Sequence, residues 1–313
     1  MLKFTTLPML DIINTLENKL QTLDVKEIIE FQVINPDFVT STYSGNVITV
    51  NEQKYTYRGY KAWFDLAHIL KCKMLTPTTV NKHQVLIRLE KLNEDVSFHT
   101  STDTAESKYG SNSIFSKIHK MEEPAFLHYY KQALKNVTIN TRIKILNLGV
   151  NNGDEFDFIK KYASNFKNLE LVGVDYCSSA IKDAKKIFSQ ENNVSFYTHD
   201  INDLNSLELG RFDLIISIGT LQSSNLEFNA LFMSIVQNQL KPNGAIILGF
   251  PNCRWLDGEM IYGARAKHYS FSEMSNVYKD VIFCKKYLQQ KKFRVSITGK
   301  EYIFLTATSI RKE

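Results

Sequence analysis

The sequence predicts an α/β protein whose larger part is a doubly wound, seven-stranded and mostly parallel sheet with an antiparallel last strand. From residue 143 onward, apolar runs alternate with amphipathic helical segments, and the chain ends in two apolar runs around a turn. The first hundred residues mix strand and helix patterns without that alternation. We therefore predict two domains, a smaller N-terminal α+β domain over residues 1–110 and a larger domain over residues 111–313.

The N-terminal domain is predicted from short local patterns. Apolar residues recur at helical spacing over residues 9–20, and a second helix is predicted over 59–70. Two β-branched runs around Ser44-Gly45-Asn46 predict a hairpin over residues 38–50. Further strands are predicted at Tyr55–Tyr57 and over 83–92. The polar, turn-rich stretch 100–113 marks the predicted boundary.

The larger domain is predicted from a regular succession of strands and helices. A helix is expected near residues 122–135, and five parallel strands follow, at Ile143–Leu148, Leu169–Val174, Val194–Tyr197, Leu214–Ile218 and Ala245–Phe250. A helix over Leu226–Leu240 is expected to end at Lys-Pro-Asn-Gly. The last two apolar runs flank Thr298-Gly299-Lys300, so the final strand should run antiparallel.

The composition is that of a globular chain in a reducing compartment. Of 313 residues, 43% are hydrophobic, and no run approaches the roughly 20 apolar residues that a membrane span needs. Pro8 and Asp11 interrupt the first apolar run, which makes a poor signal peptide. The four cysteines lie far apart with no CxxC pair, so neither a disulfide framework nor a zinc site is expected. We expect a cytoplasmic protein with no membrane association and no metal.

The positive charge is concentrated at the C-terminal end. Residues 254–313 carry 12 basic and 6 acidic residues, whereas the preceding 253 carry 26 and 27. A basic stripe is formed by Lys285, Lys286, Lys291, Lys292 and Arg294. It is interpreted as a solvated helix face, with a polyanion site as the alternative.

Three successive strand ends carry residues suited to a ligand. In such a sheet, ligands bind beyond the carboxyl ends of the strands. The first strand ends in the loop Asn147–Asp154, where Gly149, Asn151 and Gly153 suit positive φ angles. Asp175 ends the second strand and is placed to accept hydrogen bonds from a ribose diol. Asp200 and Ile201 follow the third and suit an adenine amine and ring, so the three together predict an adenosine-containing ligand.

At these residues the chain resembles class I S-adenosylmethionine-dependent methyltransferases, a Rossmann-like family, over residues 143–309. In that family the first loop reads acidic-x-Gly-x-Gly-x-Gly, and Gly149 and Gly153 match the first and third glycines. The resemblance implies S-adenosyl-L-methionine as cofactor. It implies a cofactor site formed by Asn147, Gly149, Asn151, Gly153, Asp175, Tyr176, Asp200, Ile201 and Ile218.

Two positions depart from the family pattern. Asn147 replaces the acidic residue that usually helps to hold the cofactor's ammonium group, and Asn151 replaces the middle glycine. Asp154 lies close enough in sequence to compensate for the missing charge. A nicotinamide-binding fold is the nearest rival, but the loop lacks its GxGxxG spacing.

The methyl acceptor is predicted to bind after the fifth strand. Arg254, Arg265 and Tyr269 are the predicted substrate residues, and His268 is the predicted general base because an imidazole titrates near neutral pH. Cys253 is in a position where some RNA methyltransferases carry a nucleophile, although a structural cysteine is the preferred interpretation.

The sequence thus predicts a methyltransferase whose acceptor is a small polar metabolite or an RNA nucleotide, with the metabolite preferred. The alternative from another class is a protein that binds S-adenosylmethionine without turnover. A homodimer through the N-terminal domain also stays open.

Overall fold

A computed structural model describes residues 1–97, 104–223, 226–264 and 273–311. The chain forms two compact units. The first comprises Met1–Thr100 with the short segment Trp255–Ile261, and the second comprises Ser101–Arg254 with Tyr262–Glu313. The predicted boundary at residue 110 falls ten residues after this division, and the sequence did not predict the transfer of 255–261 to the first unit.

The first unit is built on a four-stranded sheet with two helices. Its elements are β1 (Leu2–Lys3), α1 (Met9–Leu20), β2 (Ile28–Ile34), β3 (Val47–Val50), β4 (Gln53–Thr56), α2 (Tyr60–Ile69), β5 (Cys72–Asn81) and β6 (Gln84–Lys91). The sheet order is β1-β2-β6-β5, with β1 parallel to β2 and the other pairs antiparallel. The predicted helices over 9–20 and 59–70 and the predicted strand over 83–92 correspond to α1, α2 and β6, whereas β1, β2 and β5 were not predicted.

One face of this sheet carries the apolar core. Phe31 and Val33 of β2 point to the same face and are buried, although the last four residues of this strand are buried on both faces. They pack against Ile12 and Leu16 of α1 and against Trp63 of α2. Both helices therefore lie on this face.

The hairpin predicted around Gly45 is wrong in its pairing. The two strands are β3 and β4, with Val50 paired to Gln53, so the turn residues are Asn51 and Glu52. Their φ angles are +48° and +67°, the combination that a type I′ hairpin turn requires. Gly45 lies in an earlier turn that leads into β3.

A second short hairpin, β12 (Cys253–Leu256) and β13 (Glu259–Tyr262), projects its tip into the first unit. Asp257 and Gly258 form its turn, with φ angles of +48° and +88°. Asp257 accepts the Asn93 N–H at 3.0 Å and pairs with Lys26 Nζ at 2.6 Å. Burial alone would raise the pKa of Asp257, but Lys26 and the Asn93 N–H lower it.

The second unit contains the seven-stranded sheet. Its other elements are α3 (Ala105–Tyr109), α4 (Pro124–Asn136), β7 (Lys144–Leu148), α5 (Asp154–Tyr162), β8 (Glu170–Asp175), α6 (Ser178–Ile187), β9 (Val194–Thr198), β10 (Phe212–Ile218), α7 (Phe228–Ser234), β11 (Leu240–Pro251), α8 (Ser275–Gln290), β14 (Phe293–Gly299) and β15 (Tyr302–Ser309). The order is β14-β15-β11-β10-β7-β8-β9. β15 runs antiparallel to both of its neighbours, β11 and β14, and the pairs among β11, β10, β7, β8 and β9 are parallel, so the predicted fold class is confirmed.

The central strands are buried on both faces. Leu146 and Leu148 of β7 face α7 and α8 through a core that includes Phe232 and Leu288. Strands buried in this way read as continuous apolar runs, which explains why they were predictable. The helix predicted over Leu226–Leu240 is shorter, because α7 ends at Ser234, a π-helical turn follows, and β11 already begins at Leu240.

Within the described ranges, the structure has no helix that is both long and apolar enough to cross a membrane.

Candidate functional site

The predicted ligand residues meet at the carboxyl edge of the seven-stranded sheet. The chain moves from β7 outward through β8 to β9, then returns to β10 on the other side of β7. This reversal makes the crevice between β7 and β10 the topological switch point, where open α/β sheets bind ligands. The register places Leu148 beside Val174, and Asp175 beside Thr198, so the three predicted strand ends are neighbours.

The loop after β7 turns through three residues with positive φ. The φ angles are +74° for Gly149, +46° for Asn151 and +94° for Gly153. A Cβ at Gly149 would lie 1.8 Å from Thr220 Oγ1, so only glycine fits there. A Cβ at Gly153 would lie 2.8 Å from a ring carbon of Phe188. Both glycines are therefore required by space as well as by backbone conformation.

Asp175 is the hub of this edge. Its Oδ2 accepts the Asn151 N–H and its Oδ1 accepts the Cys177 N–H, each at 2.9 Å. Burial raises the pKa of this carboxyl group, and the backbone N–H groups oppose that shift only in part. Each carboxylate oxygen has a second lone pair, so Asp175 holds the loop and still has acceptor capacity for a ligand.

The other predicted cofactor residues at this edge differ in how accessible they are to a ligand. Asp200 caps a 3₁₀ turn through Oδ1, which accepts the Asn202 N–H at 2.9 Å. Part of its capacity to accept hydrogen bonds is therefore used within the protein. Ile201 and Ile218 are buried, with 7% and 5% of their surface exposed. Tyr176 follows Asp175 and is 64% exposed, which leaves its ring accessible beside the edge.

Asn147 lies inside β7 with 1% of its surface exposed. Its Nδ2 has no hydrogen-bond partner among the described residues. A buried amide without a partner is unfavourable by about 1–3 kcal/mol, so a ligand group that reached it would be stabilised.

A segment that sequence reasoning did not assign to the site lies across this loop. We call residues 107–120 the strap. The Tyr109 carbonyl accepts Asn151 Nδ2 at 3.2 Å, and Ser111 binds α6 through Ser179 and Asp183. Burial raises the pKa of Tyr109, and the Asp175 charge adds to the shift. No sequence pattern signals such a contact, because Tyr109 and Asn151 are 42 residues apart.

The end of the strap is held by a buried ion pair. Lys120 Nζ lies 3.6 Å from Glu155 Oε1, and their side chains are 14% and 5% exposed. Burial raises the pKa of Glu155, and Lys120 opposes the shift. Burial also raises the pKa of Asp154, opposed by Lys120 and His119. Asp154, which the sequence offered as a substitute for the missing acid, thus lies in a buried position near the Lys120 ammonium group.

The predicted acceptor residues are mostly outside the described structure. Arg265, His268 and Tyr269 lie beyond the described ranges, so their roles stay predictions. Arg254 is 7% exposed, which leaves little of its surface for a substrate. Burial, reinforced by nearby Glu301, raises the pKa of Cys253 to about 12, so its thiol stays protonated.

The basic stripe lies at the opposite edge of the sheet. Arg294 pairs with Thr308, which pairs with Ala245 near the start of β11, whereas the carboxyl end of β11 is Pro251. In the part of the chain that the structure describes, none of its five cations forms an ion pair. The stripe is therefore separated from the carboxyl edge by the length of β14.

The family is settled by a match over half of the chain. The family model described as "Methyltransferase domain" matches residues 139–299. The chain belongs to this family. The match contains the whole first loop and both strand-end acids, so the resemblance to S-adenosylmethionine-dependent methyltransferases is confirmed, and with it the predicted enzyme class and cofactor.

Similarity to individual proteins is more limited. Two non-reducing polyketide synthases of Penicillium brasilianum are 29% identical to this methyltransferase domain over 123 residues, which is 38% of the chain but 5% of each of those proteins. The N-methyltransferase NodS of Bradyrhizobium japonicum WM9, solved with S-adenosyl-L-homocysteine, is 14% identical over 60% of this chain and 89% of its own, with a TM-score of 0.43. PKMT2 of Rickettsia typhi, solved with AdoHcy, is 26% identical over 34% of this chain and 21% of its own, with a TM-score of 0.30.

Proposed function

We propose that the chain binds S-adenosylmethionine across the carboxyl ends of β7, β8 and β9 and transfers its methyl group to a small polar metabolite. Asp175 carries this proposal, because it is a buried carboxylate with remaining acceptor capacity at the switch point. In the proposed site Asp175 accepts from the ribose hydroxyls. Asp200, Ile201 and Tyr176 contact the adenine, and Ile218 lies at the methyl-donor end.

The residues at this edge fit the cofactor. Gly149 and Gly153 keep the loop free of side chains where a Cβ would overlap Thr220 or Phe188. The unpartnered Nδ2 of Asn147 offers a buried donor to the polar amino-acid end. When bound, S-adenosylmethionine supplies a methyl group activated by a sulfonium charge, so the protein has chiefly to orient the acceptor and exclude water.

The position of the basic stripe supports a metabolite over RNA. RNA held by Lys285, Lys291 and their neighbours would lie at the amino edge of the sheet, away from the proposed cofactor site. The protonated thiol of Cys253 also disfavours the RNA mechanism that needs a cysteine nucleophile. Four buried free cysteines agree with a reducing cytoplasm as the compartment.

The cofactor site is tested by calorimetry with S-adenosylhomocysteine. Asp175→Asn removes the charge that would bind the ribose and should weaken binding by about 1–3 kcal/mol, or roughly 5-fold to 150-fold. Asp203→Asn is the matched control, because this carboxylate lies nearby at the same edge but its side chain is 71% exposed. Equal affinities for both folded variants and the unchanged protein would remove Asp175 from the site.

The acceptor is tested with methyl-labelled cofactor and cell extract. Label in a small molecule that persists after nuclease treatment is expected. Label lost on nuclease treatment would favour the RNA alternative. Cofactor binding without transfer in any extract would favour the non-catalytic alternative.

A further inference from the structure

We propose that Asn151 is a positioning residue that latches the strap over the ribose-binding carboxylate, so that the strap closes on the bound cofactor. This inference rests on the proposed cofactor site. It gives a role to the asparagine that stands where the family loop has its middle glycine.

Asn151 makes three contacts that glycine could not all make. Its backbone N–H donates to Asp175 Oδ2 at 2.9 Å, and its Oδ1 accepts the Asn152 N–H at 2.9 Å. Its Nδ2 donates to the Tyr109 carbonyl at 3.2 Å. Only the last contact joins the Asn151 side chain to a residue outside the loop, and that residue belongs to the strap.

The strap is fixed at two further points, both of which follow Tyr109 in the chain. Toward α6, the Ser111 N–H donates to Ser179 Oγ at 3.1 Å, and Ser111 Oγ donates to Asp183 Oδ2 at 2.5 Å. Toward α5, Lys120 pairs with the buried Glu155. The strap therefore runs from the Asn151 contact at Tyr109, past α6 at Ser111, to α5 at Lys120.

The strap borders an open cleft beside the latch. A cavity of about 480 Å³ lies between the strap and α6, lined by residues that include Tyr109, Ser111, Asn151 and Asp183. Asn151 contacts both Asp175 and Tyr109, so the strap begins next to the ribose-binding group. A cofactor bound to Asp175 would therefore lie beside the strap.

The arrangement couples cofactor binding to closure. Asn151 holds Asp175 through its backbone and the strap through its side chain, so ordering either partner favours the other. A cofactor that fixes Asp175 should slow the opening of the strap. Release of the cofactor should require that the Asn151 contact breaks.

Two substitutions test the latch. Asn151→Gly restores the family residue, keeps the positive φ and deletes only the side chain. Asn151→Asp keeps the shape but turns a carboxylate oxygen toward the Tyr109 carbonyl. Asn51→Gly is the matched control, because Asn51 is an exposed asparagine with φ of +48° in a turn of the first unit.

The measurements are the dissociation rate of S-adenosylhomocysteine and the hydrogen exchange of the strap amides. Loss of the hydrogen bond to the strap should speed dissociation by roughly threefold to tenfold in Asn151→Gly. Exchange at Gly110 and Ser111 should also become faster, both with and without ligand. Asn51→Gly should change neither quantity.

The outcomes separate this inference from the proposed function. If the unchanged protein binds S-adenosylhomocysteine, and both Asn151 variants release it and exchange at the same rates as that protein, the latch is wrong and the proposed function stands. If the unchanged protein does not bind S-adenosylhomocysteine, both proposals are overturned. Faster strap exchange with unchanged dissociation would also refute the latch, because the strap would then open without affecting the ligand.

Discussion

Gly149→Ala should destabilise the second unit far more than an alanine at another glycine with the same backbone angle. Both Gly149 and Gly210 have φ of +74°, a conformation that is unfavourable for alanine by roughly 1–2 kcal/mol. At Gly210 a Cβ would have no heavy atom within 4 Å, so that strain is the whole expected effect. At Gly149 the Cβ would lie 1.8 Å from Thr220 Oγ1 and 2.6 Å from two of its carbons. Relieving this overlap requires movement of the loop or the strand end, at a further cost of about 1–3 kcal/mol.

Urea denaturation of the two variants measures the difference. We expect a loss of roughly 3–4 kcal/mol in Gly149→Ala and about 1–2 kcal/mol in Gly210→Ala. Thr220→Gly removes all three overlapping atoms, so the double variant Gly149→Ala/Thr220→Gly should recover about 2 kcal/mol beyond additivity. Equal losses in the two single variants, or no coupling in the cycle, would refute this account of the loop.

Three further predictions concern buried ionisable groups. Lys120→Met leaves the Glu155 carboxylate buried without its cation and should lower the free energy of unfolding by about 3–5 kcal/mol. Adding Glu155→Leu to Lys120→Met should restore most of the lost free energy of unfolding, as measured by urea denaturation. A Lys120→Met variant as stable as the unchanged protein would contradict the importance of this ion pair. Because the pKa of Asp175 is raised in the folded protein, the folded state binds this proton more readily than the unfolded state does. The contribution of Asp175 to the stability of the ligand-free protein should therefore rise as the pH falls from above the raised pKa toward the ordinary pKa of an aspartate. The affinity for S-adenosylhomocysteine, measured by calorimetry, should decrease as the pH falls over the same range, because the Asp175 anion accepts hydrogen bonds from the ribose. Asp175→Asn should lack this pH dependence. Cys253→Ala should keep kcat/KM within about twofold in a methyl-transfer assay, because a thiol with a pKa of about 12 does not act as a nucleophile, and a hundredfold loss would be incompatible with that reasoning.

The sheet was predictable because its central strands are covered on both faces, which restricts their composition. Strands covered on both faces are almost continuously apolar, as in Leu214–Ile218, where Ser217 is the one polar residue, and the amphipathic helices between them fix their parallel direction. The loop after β7 was predictable for a similar reason, since Gly149 and Gly153 occupy positions that exclude a Cβ. Local steric demands therefore carried the prediction of both fold and loop.

The hairpins were less predictable, although one signal was present. The Asp257-Gly258 pair between two short apolar runs is a typical type I′ turn, and it accounts for β12 and β13. The pairing of Asp257 with Lys26 and Asn93 depends on residues more than 160 positions away. No local pattern encodes that contact, so the assignment of 255–261 to the first unit needed the structure.

The strap could not be predicted either, because its contact with Asn151 joins residues that are distant in sequence. This contact changes the interpretation of the asparagine at position 151, where the family loop has a glycine. An asparagine with φ of +46° is less favourable than glycine by up to about 1 kcal/mol, so the backbone conformation alone predicts that Asn151 lowers stability. The hydrogen bond from Asn151 Nδ2 to the Tyr109 carbonyl contributes about 0.5–1.5 kcal/mol in return. The two effects nearly cancel in stability, so Asn151→Gly should leave the free energy of unfolding almost unchanged. What the asparagine adds is therefore a connection between the cofactor loop and the strap, which should affect ligand release rather than folding.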